Sequence, residues 1–219
     1  MRERRTEAAN GVIGVANTPA RVCRVHDAVN LSVASIVNIG NDRGATEWDL
    51  RNAIDERTAA VLLHDSPEQR RPSLEEMLAI ARVHNIPMFV DAAFSVPPKD
   101  TLWKFTRNIG VDAVIISGGK GLRGPQCTGL VLGKPWIVKA CAFHGVPNDR
   151  IGRGMKVGKE ELAGIYAAVK CFMEQDEASI RASKSRQLDY ILVPLPSCVL
   201  PQSMCRPHFR RESLEFFRG

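Results

Sequence analysis

From residue 33 onward the chain alternates short apolar runs with capped, helix-periodic segments, and that alternation restricts it to one broad architecture. Residues 33–38 read as a strand. Thr46 then opens a helix, with Asp49 in its first turn and Leu50, Ala53 and Ile54 on one face. Thr58–His64 is a fully apolar strand. Ser73 and Glu76 form an S-x-x-E capping box ahead of Leu74, Met77, Leu78 and Ala81, which recur at helical spacing. The next apolar run, residues 88–90, ends at Asp91. Asp100 reads as the cap of a short helix that carries Leu102 and Phe105 and closes near Gly110. Residues 113–116 and 128–132 are further strands. A helix is expected around residues 136–143, and a long one over 159–178 with Leu162, Ile165, Tyr166, Val169 and Phe172 as its apolar positions. Strands alternating with amphipathic helices predict an α/β fold, a mostly parallel sheet covered by helices on both faces.

Bulk properties narrow the function classes. The 219 residues suffice for one sizeable core, or one domain with an appendage. No apolar stretch approaches the roughly 20 residues of a membrane helix, so no membrane partner is expected. The Arg-rich start is followed by no apolar segment, so a secretory signal is not expected either. The six cysteines (23, 127, 141, 171, 198 and 205) form no CxxC pair and read as free thiols in a reducing, cytoplasmic compartment. The histidines (26, 64, 84, 144 and 208) show no metal-ligand spacing and read as surface or packing residues. The net charge of +6 sits in the tails: +3 over residues 1–25 and +4 over 181–219. With the middle near neutral, a tRNA footprint is only weakly supported, since tail charge is more often plain solvation.

Two residues carry chemistry. Asp91 ends one apolar strand. Lys120 follows the next one, in Ser117-Gly-Gly-Lys120-Gly-Leu-Arg-Gly-Pro. In parallel sheets ligands bind beyond the carboxyl ends of the strands, where both residues are expected. An acid and a lysine there are the two protein groups that pyridoxal 5'-phosphate needs: an amine for the Schiff base and a carboxylate for the pyridine nitrogen. Ala92 and Ala93 are small enough for a ring to approach the backbone, and Ser117 could bond a phosphate oxygen. The glycines around Lys120 read as room for a tight bend and a close ligand. The bland alternatives are a solvated lysine and a turn-capping aspartate. A Walker A loop fails, because Gly121 follows the lysine where Ser or Thr is needed and Val114 stands six places before it. Arg150 and Arg153 suit a carboxylate or phosphate, or else a solvated loop.

The segments Val90-Asp91-Ala-Ala-Phe-Ser-Val-Pro-Pro98, Ser117 to Gly133 and Ile151-Gly-Arg-Gly-Met-Lys-Val-Gly-Lys159 resemble the L-seryl-tRNA(Sec) selenium transferase-like branch of fold-type-I pyridoxal phosphate enzymes. The resemblance spans about residues 33 to 192. It implies the partial large domain of such an enzyme over residues 33–157, with Lys120 as catalytic Schiff-base lysine. Asp91, Ala93 and Ser117 would then be cofactor-binding, and Arg150 and Arg153 would bind an anionic substrate group. It implies a transferase or lyase acting on a small amino-acid or aminoacyl substrate, in a homo-oligomer. Phe94-Ser95 stand where many relatives have Gln. Residues 1–32 are poorly defined and show neither the family's phosphate cradle nor its ring-stacking residue. Residues 158–192 lead toward a small domain that is absent, and 193–219 are expected to be a disordered tail. The chain is therefore expected to be the middle of a longer enzyme. The open alternative is a non-catalytic remnant that associates with a partner chain.

Overall fold

A computed structural model of the chain describes residues 11–15, 28–32, 34–41, 43–66 and 70–192. Strands β1 (Gly11–Val15), β2 (Ser35–Ile39), β3 (Thr58–His64), β4 (Met88–Asp91), β5 (Ala113–Ser117) and β6 (Gly129–Gly133) make one sheet in the order β2-β1-β3-β4-β5-β6. The first five run parallel and β6 joins β5 antiparallel. The connections explain this. Helix α1 (Glu47–Ala53) crosses from β2 to β3 and α2 (Leu74–Val83) from β3 to β4. Thr101–Trp103 (α3), continued by the π-helical turn Lys104–Ile109, crosses from β4 to β5. No helix lies between β5 and β6, so the chain can only double back; α4 (Pro135–His144) follows β6.

Both capping boxes are formed: Thr46 with Asp49, and Ser73 with Glu76, each side chain bonding the other residue's backbone N–H. Asp100 departs from expectation and makes no side-chain cap bond, because its own backbone is already helical (φ −57°, ψ −23°). Gly110 does close the turn in the left-handed region (φ 91°), as Gly permits.

The core lies on one side of the sheet. Val61 and Leu63 of β3, Met88 and Val90 of β4, and Val114 and Ile116 of β5 share that face in register, and all are wholly buried. Leu50 of α1 and Leu74, Met77, Leu78 and Ala81 of α2 cover them. Burial of roughly 1.5–3 kcal/mol per large apolar side chain stabilises this half. The opposite face holds half-buried Leu62 and Phe89, and Ile115 remains 40% exposed. The two faces are thus covered unequally, and the less covered one carries His64, Asp91 and Ser117 at the strand ends.

Three further expectations are corrected. Residues 11–15, left irregular by their composition, form β1 between β2 and β3. The long helix over 159–178 stops at Glu174 as α5 (Lys159–Glu174), and α6 (Glu177–Leu192) starts anew. Asp176 Oδ1 accepts from the N–H groups of Ala178 and Ser179 and so supplies the new N-terminus. The buried stripe of α5 is Ile165, Ala168, Val169 and Phe172, whereas Leu162 and Tyr166 are 57% and 75% exposed. The chain divides into compact units at residues 172/173, inside α5. Within the second unit the structure describes residues up to the end of α6; residues 193–219, expected as a tail, lie outside the described residues.

Candidate active site

The C-terminal ends of β3, β4 and β5 lie side by side, and each ends in a polar residue: His64, Asp91 and Ser117. His64 and Asp91 are register partners. Their side chains meet, with His64 Nδ1 3.3 Å from Asp91 Oδ2. The other carboxylate oxygen, Oδ1, accepts the Ala93 N–H at 3.1 Å. Burial is the largest single influence on Asp91 and pushes its carboxyl up. The His64 hydrogen bond, the Ala93 N–H and the electrostatic influence of His64 and Lys120 act downward and together prevail. Asp91 is therefore held below the usual carboxylate range, as an anion.

Lys120 comes from the loop after β5. Its Nζ stands 3.4 Å from the centre of the Phe94 ring, and its charge reaches Asp91. The loop is closed on itself: Gly118 N–H donates to Thr128 O, Gly124 N–H to Gly118 O, Arg123 N–H to Lys120 O, and Gln126 Nε2 to Gly119 O. The tight bend expected of the glycines beside Lys120 is present, and they let neighbouring segments approach closely. A Cβ at Gly121 would stand 1.8 Å from Val96 O, and one at Gly118 would stand 2.0 Å from Thr128 Oγ1. Ile165 and Ala168 of α5 press on the same loop at Gly124.

The structure thus gathers Asp91, Ala93, Ser117 and Lys120 at one edge of the sheet. Arg150 and Arg153 engage their own neighbourhood: Arg150 stacks on Phe143 at 3.9 Å, and Arg153 pairs with Asp149 and donates to Pro147 O. Sequence reasoning missed the roles of five residues: His64, Phe94, Ser95, Asp65 and Arg71. His64 was read as surface or packing, yet it bonds the central carboxylate. The signal was available, since two adjacent strands both end in a polar residue of matching parity. Phe94 covers Lys120. Ser95 Oγ donates to Asp65 Oδ2 at 2.7 Å, and Arg71 Nη2 donates to Asp65 Oδ1 at 3.1 Å, tying the post-Asp91 loop to the end of β3. The Ser95–Asp65 bond joins residues 30 positions apart, beyond any local pattern.

Comparison with known proteins agrees with the motifs. The chain is 32% identical over 164 residues to D-glucosaminate-6-phosphate ammonia lyase of Salmonella typhimurium, covering 73% of this chain and 42% of the lyase. It is 27% identical over 169 residues to L-seryl-tRNA(Sec) selenium transferase of Clostridium botulinum, covering 71% and 35%. The chain is a homologue of both. Both are fold-type-I pyridoxal phosphate enzymes. The solved structure of D-glucosaminate-6-phosphate ammonia-lyase matches with a TM-score of 0.61 at 29% identity, over 77% of this chain and 44% of that one. Cystathionine gamma-lyase from Lactobacillus plantarum, complexed with L-serine, matches with a TM-score of 0.57 at 19% identity, a likeness of fold alone. The chain spans less than half the length of the curated relatives it matches. No protein-family model matches it.

Proposed function

We propose that this chain carries the cofactor-binding half of a pyridoxal 5'-phosphate-dependent lyase or transferase that acts on a small amino-acid or aminoacyl substrate. One observation carries the reading: the Asp91 carboxylate is kept anionic by His64 and Ala93, within the field of the Lys120 amine, at one edge of the sheet. That donor set fits the ring end of the cofactor. The segments in which a phosphate cradle and a stacking residue were sought (1–10, 16–27) lie outside the described residues.

When bound, the cofactor draws electrons from the substrate's α-carbon. The chain's own residues have distinct tasks. Asp91 would hold a proton at the pyridine nitrogen. Lys120 would hold the cofactor's aldehyde end, and its Nζ is the group placed to take up a proton from the substrate. Ala93 would leave room for the ring beside the backbone. Ser117 would offer its hydroxyl to the phosphate. Arg150 and Arg153 meet an anionic group of the substrate. The ammonia lyase and the selenium transferase are named for elimination and for selenium transfer, and either outcome suits these residues. A homo-oligomer and a cytoplasmic setting accord with the reading, the latter with exposed free thiols at Cys127, Cys141 and Cys171. No described helix is long and apolar enough to cross a membrane. A tRNA-bearing substrate is the weaker possibility; it requires RNA affinity that falls steeply with salt.

The test is covalent trapping. Borohydride reduction of the chain with the cofactor should leave a pyridoxyl group on Lys120, absent in Lys120→Ala and reduced in Asp91→Asn. Wild-type chain unlabelled at saturating cofactor sinks the reading. The second reading, a non-catalytic chain that associates with a partner, draws on the exposure of Trp136, Phe143, Met155 and Leu162. A cofactor-free chain sedimenting as a clean monomer argues against it.

A further inference from the structure

We propose that Phe94 is a latch on Lys120: its ring face holds the side-chain ammonium and restrains the amine until an incoming group displaces the ring. The consequence for cofactor capture rests on the function proposed above, whereas the latch itself rests on geometry. Nζ lies 3.4 Å from the ring centre, well inside the roughly 6 Å over which a cation is attracted to an aromatic face. Phe94 is 68% exposed, so core burial does not account for its position.

The backbone on both sides of Phe94 is fixed. Ala93 N–H is bonded to Asp91, and Ser95 N–H donates to Ala92 O. The Ser95 hydroxyl is bonded to Asp65, which Arg71 holds in turn. The ring is therefore set in place by bonds to the ends of β3 and β4. Lys120 is fixed from the other side: Arg123 N–H caps its carbonyl, and Gly121 packs on Val96 O, two residues beyond Phe94. With both backbones pre-positioned, only the two side chains remain to be ordered when the contact forms.

The chemistry gives the latch a direction. An aromatic face attracts an ammonium and has no comparable hold on a neutral amine, while only the neutral amine attacks an aldehyde carbon. The side chain must therefore leave the ring face before its nitrogen can reach a carbonyl carbon. Asp91 also draws the ammonium, but its two oxygens are already engaged by His64 and Ala93, so the amine lies between two attractions. A group that meets Asp91 and moves the ring aside weakens both at once.

The experiment uses the full chain without cofactor at one fixed pH. Lys120 is acetylated with limiting acetic anhydride, and its initial rate is read by peptide mass spectrometry against the exposed Lys156 in the same sample. Phe94 is replaced by pentafluorophenylalanine, which keeps the ring's shape and reverses its electrostatic face, and separately by leucine (Phe94→Leu). Release of the ammonium should raise the Lys120 rate about two- to fivefold in both variants. A ring that merely shields the amine sterically predicts a rise with leucine and none with the fluorinated ring. An unchanged rate with the fluorinated ring therefore overturns the latch. Failure of borohydride trapping in the wild type would remove the cofactor reading and leave the acetylation result standing, so the two ideas fail separately.

Discussion

At Asp91 the opposing influences are explicit enough to give a pH dependence with a sign. Burial pushes the carboxyl up, and the His64 bond, the Ala93 N–H and the electrostatic influence of His64 and Lys120 pull it further down. A carboxyl whose folded value lies below the ordinary 3.8 stabilises the fold at pH above 3.8 and loses that contribution as pH falls through the lower folded value. His64→Ala removes two of the downward influences and leaves the upward one intact. Asp91 in that variant should titrate at higher pH than in the wild type, as read by NMR of its side-chain carboxyl carbon, and an unchanged midpoint would show that His64 does not hold it. Gly121→Ala tests the neighbouring loop. Its Cβ would meet backbone at Val96, which cannot yield as a flexible side-chain tip can. The expected cost is about 1–3 kcal/mol in denaturant unfolding, with loss of the Lys120–Phe94 contact.

Among the elements, the caps and strand junctions were the most legible in the sequence. Ser73 and Glu76 satisfy each other's end of α2 through bonds three residues apart, which a local pattern can encode. Ser73→Ala should cost about 1 kcal/mol in chemical denaturation. Asp112 was not legible in the same way. It is buried, accepts the Met88 N–H at 2.9 Å and is ion-paired with Lys134, so it fixes the starts of β4 and β5 against the residue after β6. Asp112→Ala leaves that buried N–H unpaired and should lower stability by about 1–3 kcal/mol, while Lys120 trapping persists in whatever remains folded. The site and Asp112 stand at opposite ends of the same strands, so stability and cofactor capture should separate in this variant.

At the scale of the whole molecule, ligand linkage provides the simplest check. A cofactor that binds only the folded chain stabilises it by about 2.7 kcal/mol at a hundredfold excess over its dissociation constant. Pyridoxal 5'-phosphate should therefore raise the thermal midpoint of the wild type and raise that of Lys120→Ala far less. Equal shifts would mean that the stabilising contact lies elsewhere. The apolar residues left exposed on the less covered face of the sheet, Ile115 and Val131, lie on the same side as the polar strand ends. The face that carries the site is thus the one the chain leaves least protected.

The sequence by itself determined the alternation of strands and helices, the Ser73–Glu76 capping box, the helix start at Thr46, and the placing of Asp91 and Lys120 at neighbouring strand tips. Each of these follows from residues a few positions apart, through periodicity, capping or strand length. The tertiary structure alone decided that Gly11–Val15, broken by two glycines, is an interior strand, because β2 and β3 supply the hydrogen bonds its composition does not promise. It also decided that β6 runs backward, that α5 turns Ile165 rather than Leu162 inward, and that His64 and Phe94 attend the carboxylate and the amine. The reason is common to all four. These arrangements depend on which distant segment comes to lie alongside, and no local pattern records that.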